Sequence, residues 1–184
     1  MATAGHVALT ATSIDVAAAG TAASFIDLLA TTGSITQGAA GVLTAPQLRA
    51  RAEAAGASVL LYDATNQIGI LGAPVTAGMI AGRANLHFDF RNGQALTVDS
   101  VLGTAGVTSA MLRVSMEAPS IALQAAIDAT TVIDLLATGA GGITQDAAGV
   151  LTGPALRARA EATGASVLLD DAANQIGVPG PPAT

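Results

Sequence analysis

Residues 35–69 recur at residues 143–177, 108 positions later, with 29 of 35 residues unchanged. The first copy reads ITQGAAGVLTAPQLRARAEAAGASVLLYDATNQIG. The second reads ITQDAAGVLTGPALRARAEATGASVLLDDAANQIG. Upstream, residues 26–30 match residues 133–137 at an offset of 107, so one residue has entered near Gly141. Still further upstream identities fade, but Ser13 and Ile14 align with Ser120 and Ile121, and His6 and Val7 with Arg113 and Val114. A long internal period points to stacked supersecondary units that share one core. The match decays into an apolar pattern instead of stopping at a boundary. That predicts a single continuous scaffold over residues 1–184, with repeat copies at 6–112 and 113–184, the second incomplete. Each copy would contribute about five coils.

A shorter rhythm of about 18–22 residues runs inside the long one. Small apolar clusters fall at residues 13–16, 33–36, 57–60, 84–88, 95–98, 112–114 and 120–123, each bounded by Gly, Asn, Asp or Thr. Short alternating runs between such residues are strand-and-turn signals. Many short strands at even spacing suit a barrel, a sandwich or a β-solenoid. Composition helps to choose. Hydrophobic residues make up 51% of the chain but aromatics only 2%, namely Phe25, Phe88, Phe90 and Tyr62. The interior must then be filled by Ala, Val, Leu and Ile, which suits a narrow core between close backbones. The expected fold is an all-β parallel β-helix of about nine coils, a rod about 43 Å long at the usual strand spacing.

Residues 44–56, TAPQLRARAEAAG, admit two readings. Thr44 could cap a helix with Pro46 in its first turn and Gly56 at its end, and the residues between are good helix formers. The same residues read as a strand with Leu48, Ala50, Ala52 and Ala54 inward and Arg49, Arg51 and Glu53 outward. Propensity favours the helix. Context favours the strand, because a helix would interrupt the ladder that both flanks continue.

Charge and composition exclude several functions. The net charge is −6, and all seven basic residues are Arg. No basic stripe is available for phosphates, so nucleic acid is not an expected partner. Without Cys there is no disulfide, thiolate metal site or Cys nucleophile. No run of about 18 uninterrupted apolar residues predicts a membrane-inserted helix. The opening MATAGHVALTATS has neither the charged start nor the apolar centre of a signal peptide. The expectation is a chain not exported by itself, or a piece of a longer one.

Few residues suggest chemistry. Asn66 and Gly69, with Asn174 and Gly177, are the most distinctive polar pairs. Asn bonds nearby backbone in tight turns and Gly supplies positive φ, so they read as structural turn and ladder residues, ahead of a glycan-binding role. Arg49 and Arg51 with Glu53, and Arg157 and Arg159 with Glu161, form two like clusters. They are either a surface that binds carboxylates or sulfates, or a solvated strand face with weak local ion pairs. Asp63, Asp146, Asp170 and Asp171 do not form the nonapeptide of calcium-binding β-rolls, so no metal is expected. His6 and His87 stand in unrelated contexts, without metal-binding spacing. No GxSxG elbow is present. Arg83, His87, Asp89 and Arg91 are the one cluster of acids and bases that a polysaccharide-cleaving β-helix could use. They also read as an ordinary alternating strand. Thr pairs such as Thr10 and Thr12 do not recur once per coil, as an ice-binding face would need. No cofactor and no catalysis are expected.

The blocks DLLA, ITQ, GVLT, LRARA, ASVLL and NQIG together resemble the repeats of filamentous-haemagglutinin-like adhesins, the large proteins exported by two-partner secretion in Gram-negative bacteria. The resemblance is strongest over residues 26–72 and 133–177. It implies a right-handed parallel β-helix that serves as a structural or adhesive shaft, secreted or held at the bacterial surface. Host or surface glycans and proteins are the partners it implies. It carries over no catalytic residue. The unpaired strand edges at the ends of such a rod add end-to-end self-association as a further expectation. The competing functional expectations are a self-assembling extracellular filament subunit and a carbohydrate-active β-helix.

Overall fold

The computed structural model describes residues 4–70 and 76–177, and among these it has nineteen strands and no helix. Strands consecutive in sequence do not pair side by side, apart from two short antiparallel contacts, 69–70 with 76–77 and Ser100–Val101 with Thr104–Ala105. Each strand instead pairs, in parallel, with the strand one turn further on. Ile26 faces Leu48, Ile35 faces Val59 and Thr44 faces Gln67. This is a β-solenoid, and the all-β reading of the sequence is borne out.

Each turn has three faces. In the early turns the first face carries Ala4–Ala11, the second half of Gly20–Ala30, Gln47–Ala52 and Thr76–Ala84. The second face is one uninterrupted ladder of seven rungs, with Ile14, Ile35, Val59, Phe88, Val114, Ile133 and Leu156 stacked in register. The third face begins with residues 20–21, Leu43–Ala45 and the segment around Gln67. It continues through Leu96–Val98, Ile121 and Ile143. Seven rungs make about seven turns, not nine. The reason is turn length. Successive rungs are 22 residues apart at Ile26 and Leu48 but 29 apart at Val59 and Phe88, longer on average than the apolar rhythm suggests.

Thr76–Ala84 reorganises the stack. Its residues 79–84 lie on Gln47–Ala52, but above it Gly78 and Ile80 carry Leu96 and Val98, while Gly82 and Ala84 carry Val107 and Ser109. One strand thus serves two faces. The consequence is a rotation of the repeat. Starting at Leu28, the first-face ladder climbs through Ala50, Gly82, Val107 and Ile127, four turns in all. The repeat equivalent of Leu28 is Leu135, which comes next and lies on the second face, over Met116. Likewise Ile35 lies on the second face and Ile143 on the third. The 107-residue period is therefore four and one-third turns, not five, and copy two is copy one turned by one face.

Alternation fills the interior. The strand Gln47–Ala52 buries Leu48, Ala50 and Ala52 and turns Gln47, Arg49 and Arg51 outward. The helix propensity of this segment is overridden because ladders on both sides, to Gly20–Ala30 and to Thr76–Ala84, take its backbone groups. Small residues make room for the few large ones. A Cβ on Gly82 would lie 2.2 Å from the Phe88 ring, so this glycine is what lets Phe88 into the core. Gly106 and Gly142, both at φ +67°, turn corners where a Cβ would meet the carbonyl oxygen of Ala126 or Ser166 at 2.0 and 2.2 Å.

Candidate functional site

The polar groups fall into three sets: buried corners, outward ion-pair rows, and one groove. The corners use the repeated Asn. Asn66 is fully buried. Its Oδ1 accepts from Gln37 Nε2 at 2.7 Å and from the Leu43 amide at 3.0 Å. Its Nδ2 donates to the carbonyls of Leu61 and Arg91 at 3.0 and 3.1 Å. Asn174 repeats the pattern, accepting from Gln145 Nε2 and the Leu151 amide at 2.6 and 2.9 Å and donating to the Leu169 carbonyl at 3.0 Å. Asn92 extends the first corner by clamping both the amide and the carbonyl of Ile68, each at 2.8 Å. With its amide spent inside the wall, Asn66 has nothing left to offer a glycan. Gly69 and Gly177 end these segments at φ +141° and +84°.

The arginine clusters do not form one surface. Arg49 is forked onto Asp27 one turn below, Nε to Oδ1 at 2.8 Å, and its Nη1 donates to the Leu102 carbonyl at 2.6 Å. The bond to Asp27 holds the guanidinium above its ordinary pKa against the opposing effect of burial. Arg51 lies 3.9 Å from the same carboxylate. The partner of Arg49 is thus the aspartate of the neighbouring turn, not Glu53. Copy two repeats the pair, with Arg157 at 3.2 Å from Asp134, and adds Arg159 at 3.8 Å from Glu161. Because of the one-face rotation, Arg49 and Arg157 point from different faces.

The acid-base cluster read from residues 83–91 is split by the fold. Arg83 sits on the first face, donating to Thr108 Oγ1 at 3.1 Å. Asp89 and Arg91 sit on the second face, alternating with the inward Phe88 and Phe90. His6 stacks on Phe25 at 4.9 Å. Asp146 accepts from the Ala148 amide at 3.0 Å within its own turn. Asp63 and Asp170 are exposed, Asp63 within the strand Val59–Ile70.

What the structure does assemble is a shallow groove of about 130 Å³ on the second face, lined by Tyr62, Asp89, Phe90, Arg91, Arg113, Ser115 and Glu117. The Asp89 side chain is 5% exposed, and both its oxygens accept from Arg113, at 3.0 Å from Nε and 2.7 Å from Nη2. That fork raises the Arg113 pKa. Arg91 pairs with Glu117 at 3.5 Å across the next outward row, and the Tyr62 ring is open to solvent. Tyr62 escapes a reading of the sequence, as do Arg113 and Glu117, because they lie two turns apart with Asp89 and Arg91 on the turn between. Only the register Asp89 to Ser115 and Arg91 to Glu117 brings them together.

Comparison with family models, with curated proteins and with solved structures gives no match.

Proposed function

We propose that the chain is a segment of a structural and adhesive shaft, with the right-handed winding of the filamentous-haemagglutinin-like adhesins it resembles, secreted or displayed at the cell surface and without a reaction of its own. One observation carries this reading. The repeat climbs four and one-third turns and its second copy continues the ladder of the first without a break. A repeat that ends on the neighbouring face still presents a rung to the next copy, so length can be added without new packing chemistry, as in other quasi-one-dimensional proteins. Duplicating residues 6–112 in place and measuring the particle by small-angle X-ray scattering tests it. The expected gain in length is about 21 Å, from four and one-third turns at about 4.8 Å each. A gain in width, or loss of the parallel-β signature, defeats the proposal.

The groove favours a second reading, a carbohydrate-active surface. A solvent-facing tyrosine beside two guanidinium groups and two carboxylates can stack on a sugar ring and hydrogen-bond its hydroxyls. Binding and turnover screens with uronate polysaccharides separate the readings. Turnover abolished by Tyr62→Ala or Arg91→Ala supports it. The absence of both binding and turnover removes it.

A further inference from the structure

Most arginines of this acidic chain are neutralised where they stand. Five of the seven lie within 3.8 Å of a carboxylate. Arg51 is 3.9 Å from Asp27, a carboxylate that Arg49 already holds through two hydrogen bonds. Arg83 forms no ion pair among the described residues, and its hydrogen bond goes to Thr108 Oγ1 at 3.1 Å. All thirteen Asp and Glu residues are among the described ones, so no acidic side chain is left to pair with it. Arg51 and Arg83 also face one another on successive turns of the first face, with Cα atoms about 4.8 Å apart. Both are only partly buried. Two like charges in register repel, and an anion bound between them relieves that repulsion.

The outward row continues past Arg83. Thr108, Asp128 and Thr152 follow it on the next three turns. Beside them lies a hollow of about 380 Å³, walled also by Ala110 and Thr130, within the range of about 300–1,000 Å³ usual for small-molecule sites. Asp128 forms no ion pair among the described residues, which include every arginine. The Thr130 Oγ1 is shielded from solvent and has no partner among them either. The hollow is within the length of the rod, since the turn bearing Gln175 pairs with Thr152.

We propose that this strip of the first face binds a uronic-acid residue of a polysaccharide. Arg51 and Arg83 hold its carboxylate, and its ring sits in the hollow with its hydroxyls toward Thr108 and Asp128. A guanidinium fork matches a carboxylate in shape and charge. Threonine hydroxyls and a carboxylate can both accept from ring hydroxyls, whereas an acidic peptide brings no hydroxyl array to meet them. Asp128 lies two rungs from Arg83 and repels a second anion there. A lone uronate among neutral sugars therefore fits better than a run of uronates. The site is on a different face from the Tyr62 groove. It gives the adhesive shaft a ligand class, while the length of the shaft does not depend on it.

NMR titration of the chain with galacturonate, galactose and acetate tests the site. Galacturonate should bind about tenfold more tightly than galactose, which lacks the carboxylate, or acetate, which lacks the ring. The Arg83 Nε–H signal should shift as it binds. Arg83→Gln should weaken galacturonate about tenfold or more, the loss of one charge-assisted pair. Arg83→Lys keeps the charge without the fork and should fall between, and it serves if the Gln variant does not fold. Asp128→Asn should narrow the preference for galacturonate over acetate, and Tyr62→Ala should leave it unchanged. Absence of galacturonate binding at about 10 mM, or equal affinity in wild type and Arg83→Gln, overturns the proposal. So does an unaltered preference in Asp128→Asn, or loss of binding in Tyr62→Ala, which moves the ligand to the second-face groove. A rod that lengthens when residues 6–112 are duplicated, yet binds no galacturonate, removes this site and leaves the shaft reading intact.

Discussion

Gln37 donates a 2.7 Å hydrogen bond to Asn66, 29 residues later, inside the wall of the solenoid, and Gln145 and Asn174 make the same bond at 2.6 Å on a different pair of faces. Each Asn also accepts from a backbone amide and donates to a backbone carbonyl. Asn66→Ala strips partners from several buried groups at once and should cost about 2–4 kcal/mol, at about 1 kcal/mol or more for each bond lost. Asn174→Ala should cost less, since its corner belongs to the exposed last turn. Urea midpoints of the two variants decide it, and equal losses would contradict the burial argument.

Val59 and Val167 offer a matched pair. Val59→Ala opens a cavity under Phe88 and should cost about 2 kcal/mol, whereas Val167→Ala should stay within about 0.5 kcal/mol. Thermal melts at a concentration where the chain is monomeric make the comparison.

Gly82→Ala places a methyl 2.2 Å from the Phe88 ring and 2.6 Å from the Ala50 carbonyl oxygen. Overpacking of this severity should cost about 2–3 kcal/mol or more. Gly56→Ala meets open space but keeps φ at +80°, so it should cost about 1 kcal/mol from backbone strain alone. A smaller loss at Gly82 than at Gly56 would contradict the packing described here.

Ile35 and Ile143 are fully buried. Ile35→Asp or Ile143→Asp puts an unpaired charge among apolar side chains and should unfold several turns, lowering the β signal in circular dichroism. Unchanged melting would sink the solenoid interior.

Arg113→Ala leaves the buried Asp89 carboxylate without its fork. The loss should be about 1–3 kcal/mol, tempered because the Arg113 side chain is half exposed. Adding Asp89→Asn should restore part of it, since a neutral amide tolerates the site better than an unpaired carboxylate. A double variant less stable than Arg113→Ala would show that Asp89 contributes by some route other than this pair.

The inward pattern of the LRARA segments could be read directly from the chain. Leu48, Ala50 and Ala52 alternate with arginines, and alternation is a local property of a strand. The helix alternative for the same residues could not be dismissed locally, because propensity counts only the segment. The strand is preferred once neighbouring turns offer partners for its amides and carbonyls on both sides. The groove was illegible for a related reason. Arg91 and Glu117 are 26 residues apart, and nothing in either neighbourhood states how long that turn is.

The repeat itself shows the same division. The sequence alone determined that residues 35–69 and 143–177 form the same local structure, that it is made of strands, and that Asn66 and Asn174 sit at equivalent turns. These follow from identity and from the two-residue period of side-chain direction. Only the tertiary structure decided where the second copy points. Turn lengths vary from place to place, and Thr76–Ala84 is shared between two faces. The period therefore closes at four and one-third turns, and the Asp134–Arg157 pair leaves the rod one face away from Asp27–Arg49. Rotation about the axis is a sum over every turn between the copies, so no single stretch of sequence contains it.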